Sequence, residues 1–130
     1  MWVLDTNTLI YFFKGMGDVA ENLLNRSVKE IGIPSVVLFE LEVGIAKSSS
    51  SHKRMQQLAA ITSAIQLLPF GAKEATASAG IRAALEKKGT PIGCYDLLIA
   101  GTAVAHNAIL VTHNTDEFKR VDKLSLTDWY

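Results

Sequence analysis

Met1-Trp2-Val3-Leu4-Asp5-Thr6-Asn7-Thr8-Leu9-Ile10 opens the chain, and its reading decides the fold. A short apolar run stops at an aspartate, passes through small polar residues and turns apolar again. The pattern predicts a buried strand, a sharp turn with an acid at its lip, and then a helix. In open parallel sheets, ligand sites lie where strands end and helices begin, so Asp5 is a candidate site residue. Asp is also a good helix N-cap. This stretch alone leaves both roles open.

Working outward, the same alternation recurs. A short helix ends at Gly15 and Gly17, and Asp18 caps a second one through about Ser27, with Val19, Leu23 and Leu24 as its buried stripe. Glu30-Ile31-Gly32-Ile33 predicts a strand, and Pro34-Ser35 starts a helix through about Lys47. The serines Ser48 to Ser51 form a connection. A helix follows from His52 to about Ile65, with Met55, Leu58, Ala59 and Ile61 facing inward. Leu67 to Phe70 is a strand. Gly71 to Lys88 is an alanine-rich helix whose alanines at 72, 75, 79 and 83 permit close packing against a neighbour. After a loop, Thr90 to Gly93, come a helix from Cys94 to Asn107 and a strand from Ala108 to Thr112. A polar turn, His113 to Phe118, and a last strand, Lys123 to Leu126, complete the chain before Trp129. Strands alternating with helices predict a central parallel sheet covered on both faces, a three-layer α/β/α sandwich. The 130 residues show no repeat and no second composition regime, which predicts a single domain.

Composition narrows the class. No run reaches the roughly 18 apolar residues of a membrane span, and no basic-then-apolar leader precedes Asp5. A single cysteine, Cys94, excludes an internal disulfide framework and fits a reducing cytoplasm. Lys and Arg together number 13, as do Asp and Glu, so the net charge is zero. That balance argues against a protein that coats nucleic acid by charge alone, and leaves room for a nuclease with an acidic site.

The acids are not scattered over solvated faces. Asp96 starts Tyr95-Asp96-Leu97-Leu98-Ile99-Ala100-Gly101, a helix apolar almost all round. A buried carboxylate there costs several kcal/mol, more than the ~0.3–1 kcal/mol that a helix dipole returns. A cation, a metal or an opening to solvent is therefore implied. Glu40 faces the same difficulty in Val36-Val37-Leu38-Phe39-Glu40-Leu41-Glu42-Val43-Gly44, where Gly44 leaves space beside it. Glu42 lies about 200° around the helix from Glu40, so the two cannot serve one site, and periodicity does not choose between them. Asp116-Glu117 follows the strand that ends at Thr112. Three or four carboxylates at one sheet edge repel one another unless a cation intervenes, and all-oxygen ligation suits Mg²⁺, or Mn²⁺ in its place.

The words Leu4-Asp5-Thr6-Asn7, Phe39-Glu40-Leu41-Glu42-Val43-Gly44, Gly89 to Gly101 and Val111 to Arg120, in this order and spacing, resemble the PIN-domain family. More narrowly they resemble the VapC toxins of bacterial type II toxin–antitoxin pairs, from Leu4 to Trp129. The resemblance implies a metal-dependent endoribonuclease acting on tRNA or rRNA. It places Asp5, Glu40 and Asp96 in the acidic centre as catalytic metal ligands, and so chooses Glu40 over Glu42. An acid immediately before the phenylalanine favours Glu117 as the fourth; Asp116 and Asn114 are its alternates. Thr6, Asn7 and Thr112 fit groups that orient the carboxylates. The resemblance further implies a homodimer and a small cognate antitoxin whose C-terminal segment covers or fills the acidic groove. A departure occurs at Thr102, where close relatives often carry His.

Other candidates are weaker. His113 is the one histidine near the acids, but a turn His is usually solvated. Cys94 has no legible catalytic partner and is expected to pack as a buried thiol. Arg82 and Arg120 lead the candidate phosphate contacts, and Tyr11, Phe12, Phe13, Val19 and Leu23 offer apolar surface for a dimer or an antitoxin segment, much of which the core would claim. Two alternatives remain: a receiver-type phosphorylation switch, and a PIN scaffold kept only for binding. A receiver wants adjacent acids after its first strand, whereas Thr6 follows Asp5 and no Asp lies between residues 19 and 95.

Overall fold

The computed structural model describes residues 1–130. Five strands, Trp2–Leu4 (β1), Ile31–Pro34 (β2), Gln66–Leu68 (β3), Ile109–Val111 (β4) and Ser125–Thr127 (β5), form one sheet in the order β3-β2-β1-β4-β5. Every neighbouring pair is parallel. The helices between them are Thr6–Lys14 (α1), Val19–Leu24 (α2), Ser35–Ala46 (α3), Ser51–Ala64 (α4), Ala72–Lys88 (α5), Cys94–Ala105 (α6) and Thr115–Phe118 (α7). The helices cover the all-parallel sheet, which gives the expected three-layer α/β/α sandwich.

The order carries a functional consequence. The chain winds from β1 outward to β3, then crosses back to β4, so the winding reverses between β1 and β4. Such a switch point opens a crevice at the carboxyl ends of the strands. Asp5 directly follows β1 and Thr112 directly follows β4, and the Asp5 N–H donates to the Val111 carbonyl at 3.2 Å. A receiver domain has the flavodoxin-like order 2-1-3-4-5, a different winding, so the receiver alternative fails on topology.

Local chemistry sets the element ends. Asp5 caps α1, its Oδ1 accepting the Thr8 N–H at 2.9 Å, and Gly15 ends that helix at φ 67°. Gly89, at φ 71°, ends α5 in the same left-handed conformation, which glycine adopts without a Cβ penalty. The central strands are buried on both faces: Val3, Leu4, Ile31, Ile33, Leu110 and Val111 are fully inaccessible. Leu9, Val19, Val37, Ile99 and Phe118 pack onto them from the helices. Against β1, the guanidinium of Arg26 lies 4.7 Å from the Trp2 ring centroid and 4.6 Å from that of Trp129. This cation–π sandwich ties the first strand to the last residues of the chain.

Several helix faces differ from the sequence expectation. In α4 the inward residues are Leu58, Ile61 and, at its end, Ile65, whereas Met55 and Ala59 are exposed. Leu24 of α2 is likewise exposed. The α5 alanines at 72, 75, 79 and 83 face solvent, and Glu74, Ser78 and Leu85 form the buried stripe. Close packing does occur, but between Ser78 and Gly101 of α6, where a Cβ on Gly101 would lie 2.8 Å from Ser78 Cβ. An alanine-rich helix lacks a strong apolar stripe, so the pattern misassigned its inner face. The strand at β3 stops at Leu68, before Pro69, because proline cannot continue the ladder. The turn after β4 closes into the one-turn helix α7, and β5 starts two residues later than expected. No helix is long and apolar enough to cross a membrane.

Candidate active site

At the crevice the charges of Asp5, Glu40 and Glu117 all act on Asp96. Asp5 sits at the mouth of β1 and is only 4% exposed. Burial raises its pKa. The Thr112 and Thr8 hydroxyls and the Thr8 N–H beside it act in the opposite direction, and the charge of Asp128 adds to the rise. Thr8 also donates its hydroxyl to the Val111 carbonyl at 3.1 Å, stitching the β1 turn to β4.

Glu40 comes from the second turn of α3, and its Oε1 accepts the Thr6 hydroxyl at 2.7 Å. Glu42 points outward and is exposed. The geometry thus turns Glu40 toward the Asp5 loop and Glu42 toward solvent. Asn7 is exposed on the first turn of α1, and its side chain hydrogen-bonds none of the four acids.

Asp96 lies in the first turn of α6 and is partly open to the crevice. Its pKa is pushed from 3.8 up to about 7 by burial first, then by the charge of Glu117, a hydrogen bond shared with it, and the charges of Asp5 and Glu40. Glu117, from α7, moves the other way. Burial opposes its ionisation, but the Asn114 amide, the Gly93 N–H, the shared hydrogen bond to Asp96 and the charge of Arg120 outweigh it. Asn114 Nδ2 donates to Glu117 Oε2 at 2.9 Å, and Gly93 N–H to Oε1 at 3.1 Å. Asp96 and Glu117 therefore titrate as a coupled acid pair, Asp96 shifted upward and Glu117 downward. Asp116 turns away into solvent and pairs with Lys119 at 3.2 Å.

The donors are all oxygen, with no His or Cys among them, and the acids hold more negative charge than their surroundings support. A hard divalent cation fits that set. No three His, Cys, Asp or Glu side chains close into a tight cage. An open arrangement suits Mg²⁺, which takes one or two carboxylates directly and keeps several waters.

Three contributors escaped the sequence reading. Thr8 is one, although an Asp N-cap predicts a bond to the N–H three residues on. Gly93 acts through its backbone, which no residue-type pattern reveals. Asp128 directly follows β5 and so obeys the strand-end rule that singled out Asp5; its Oδ2 bonds His113 Nδ1 at 2.9 Å. Cys94, the first residue of α6, is exposed rather than buried. Arg82 is paired with Glu86 at 2.8 Å, and Arg120 donates to the Pro91 carbonyl at 3.1 Å.

The PIN-domain family model matches residues 2–124. Ribonuclease VapC2 of Rickettsia felis is 39% identical over 131 residues, spanning 99% of this chain and 98% of that protein. This chain is a PIN-domain protein of the VapC ribonuclease family. A second relative, the tRNA(fMet)-specific endonuclease VapC of Salmonella typhimurium, is 33% identical over 98% of this chain and 97% of its own. Among solved structures, VapBC2 from Rickettsia felis bound to a promoter DNA fragment superposes with a TM-score of 0.93 at 37% identity, covering 99% of this chain and 98% of that one. Thr102, the departure from the family pattern noted in the sequence, is buried, with its hydroxyl donating to the Leu98 carbonyl at 2.8 Å. It is satisfied inside its own helix and does not reach the crevice.

Proposed function

We propose that this protein is the toxin of a type II toxin–antitoxin pair, an endoribonuclease that hydrolyses RNA phosphodiester bonds with Mg²⁺ or Mn²⁺. One observation carries the reading: at the switch point the charges of Glu117, Asp5 and Glu40 all act on Asp96, whose pKa burial first and these acids second push up to about 7. Such a cluster is under strain without a cation and relaxed with one.

Asp5 and Asp96 would hold the ion, with Glu40 and Glu117 completing the acidic ring. Bound there, Mg²⁺ supplies positive charge against the scissile phosphate and a readily deprotonated water. The chain's own contribution is orientation. Thr6 fixes the Glu40 carboxylate, Asn114 and the Gly93 N–H fix Glu117, and the Thr8 N–H fixes Asp5. A cation held there would favour the ionised form of Asp96, whose pKa burial and the nearby acids raise.

The substrate we assign is a structured RNA. The Salmonella typhimurium relative is named for tRNA(fMet), which makes initiator tRNA the first molecule to test. The partner is a small antitoxin, as in the related VapBC complexes, with the toxin acting as a homodimer in the cytoplasm. A groove of about 180 Å³ beside Glu40, lined by Ile10, Phe13, Gly44 and Arg54, suits an inserted antitoxin segment. The test is cleavage of initiator tRNA by the purified chain with Mg²⁺, against Asp5→Asn, Asp96→Asn and an EDTA control. Wild-type rates from either variant would end the metal-site reading, and would favour a PIN scaffold that only binds.

A further inference from the structure

Phe39 of α3 and Tyr95 of α6 are exposed aromatic residues in mutual contact. Their ring centroids lie 5.6 Å apart at an interplanar angle of 57°, and they are 51% and 46% exposed. Each directly precedes one of the four acids: Phe39 comes before Glu40, and Tyr95 before Asp96. The other large exposed apolar side chains, such as Leu24, Met16 and Met55, have no such neighbour in sequence. Each ring is about half exposed, so the pair leaves aromatic surface open to a third ring.

Charge explains what that third ring would do. An RNA phosphate entering the crevice meets four carboxylates on a chain of zero net charge. Several surface cations are already spoken for: Arg82 by Glu86, Lys88 by Asp122 and Lys119 by Asp116. The acids at the crevice offset part of what the remaining cations offer a phosphate by counterion release. Base–aromatic stacking supplies affinity that phosphate repulsion does not cancel, because it acts on the uncharged part of the nucleotide.

We propose that Phe39 and Tyr95 form a stacking platform for one unpaired base of the RNA substrate, beside the acidic cluster. The proposal rests on the ribonuclease reading and adds a specificity for single-stranded or splayed nucleotides at the cleavage point.

The experiment uses the full chain in an Asp96→Asn background, so that binding is read without cleavage. The probe is a short single-stranded RNA carrying 2-aminopurine, whose fluorescence is quenched on stacking. Quenching is expected with Phe39 and Tyr95 intact and also with Tyr95→Phe, which keeps a ring. The Phe39→Ala/Tyr95→Ala double variant should bind roughly five- to a hundredfold more weakly and lose the quench. The slope of affinity against salt should not change, because no ionic contact is removed. Unchanged affinity and quench in the double variant would overturn the proposal. So would a double variant that binds poorly because it has lost self-association in sedimentation, which would assign the pair to a subunit interface. If the chain with Asp96 intact cleaves RNA while the double variant binds normally, only the stacking inference falls. If it neither cleaves nor binds RNA, the ribonuclease reading itself falls.

Discussion

Thr6 and Glu40 are 34 residues apart in sequence and joined by a 2.7 Å hydrogen bond. The bond links the first turn of α1 to the second turn of α3, and it fixes one carboxylate of the acidic ring from the loop that carries another. Asp5 and Glu40 are thereby positioned as a unit. Orienting bonds of this type are worth ten- to a hundredfold in metal affinity or activity.

Thr6→Val should therefore lower RNA cleavage by about tenfold to a hundredfold and raise the Mg²⁺ concentration needed for half-maximal rate. Thr6→Ser, which keeps the hydroxyl, should retain most of the activity. Cleavage measured across a Mg²⁺ titration checks both. Equal Mg²⁺ dependence in wild type and Thr6→Val would show that the bond does not position a metal ligand.

Asp96→Asn should have two opposite effects. Cleavage should fall at least a hundredfold, because the proposed metal site loses one of its carboxylates. The metal-free protein should become more stable at pH 8, because a repelled, half-buried charge is removed. Its full pKa displacement overstates the gain, since solvent screens the group; on the order of 1–2 kcal/mol remains, or about 3–6 °C in Tm. Thermal unfolding in EDTA measures it, and a lower Tm in the variant would contradict the charge-repulsion account.

Proton linkage gives a third expectation. Asp96 has a folded-state pKa raised from 3.8 to about 7, so its contribution to stability is full below pH 3.8 and lost as pH rises through 7. The depressed Glu117 works the other way, its contribution disappearing only as pH falls below the ordinary glutamate range. Without metal, the Asp96 contribution to Tm should decline from about pH 4 to 8, and the decline should be absent in Asp96→Asn. Mg²⁺ binding near pH 6.5 should release protons. Calorimetry in two buffers of different ionisation enthalpy reads the number, and zero protons released would refute the coupled-pair description.

Gly101→Ala tests the α5–α6 contact. A Cβ there would meet Ser78 Cβ at 2.8 Å and Ser78 Cα at 2.9 Å, and backbone cannot swing aside as a side-chain tip can. Overpacking of this kind costs about 1–3 kcal/mol. A urea midpoint within error of wild type would mean that the helices separate freely at this point.

The fold was largely legible because its strands are short apolar runs punctuated by Gly, Pro and polar turns. Buried parallel strands read this way whatever packs on them. The acids were legible for a related reason: a carboxylate next to an apolar run is conspicuous, and the charges of Asp5, Glu40 and Glu117 all reach Asp96. Periodicity could not separate Glu40 from Glu42, since that choice depends on the Thr6 hydroxyl, which lies in another element. Nor could it separate Glu117 from Asp116, which are adjacent in sequence and differ only in which side of α7 they leave. Gly93 was invisible because its role is an N–H. The inner face of α5 was misread because alanine is equally at home inside and out.

The strands of the sheet are three or four residues long, a span of about 10–13 Å at ~3.3 Å per residue. The hydrophobic interior is thus a thin slab with the acidic crevice along one rim, and no core residue is more than a few side chains from the chemistry. Robustness and catalysis are consequently not separable traits in this molecule. A substitution that loosens Leu110 or Val3 shifts the seat of Asp5 as directly as it weakens the fold, so variants selected for tolerance to heat should change turnover as well.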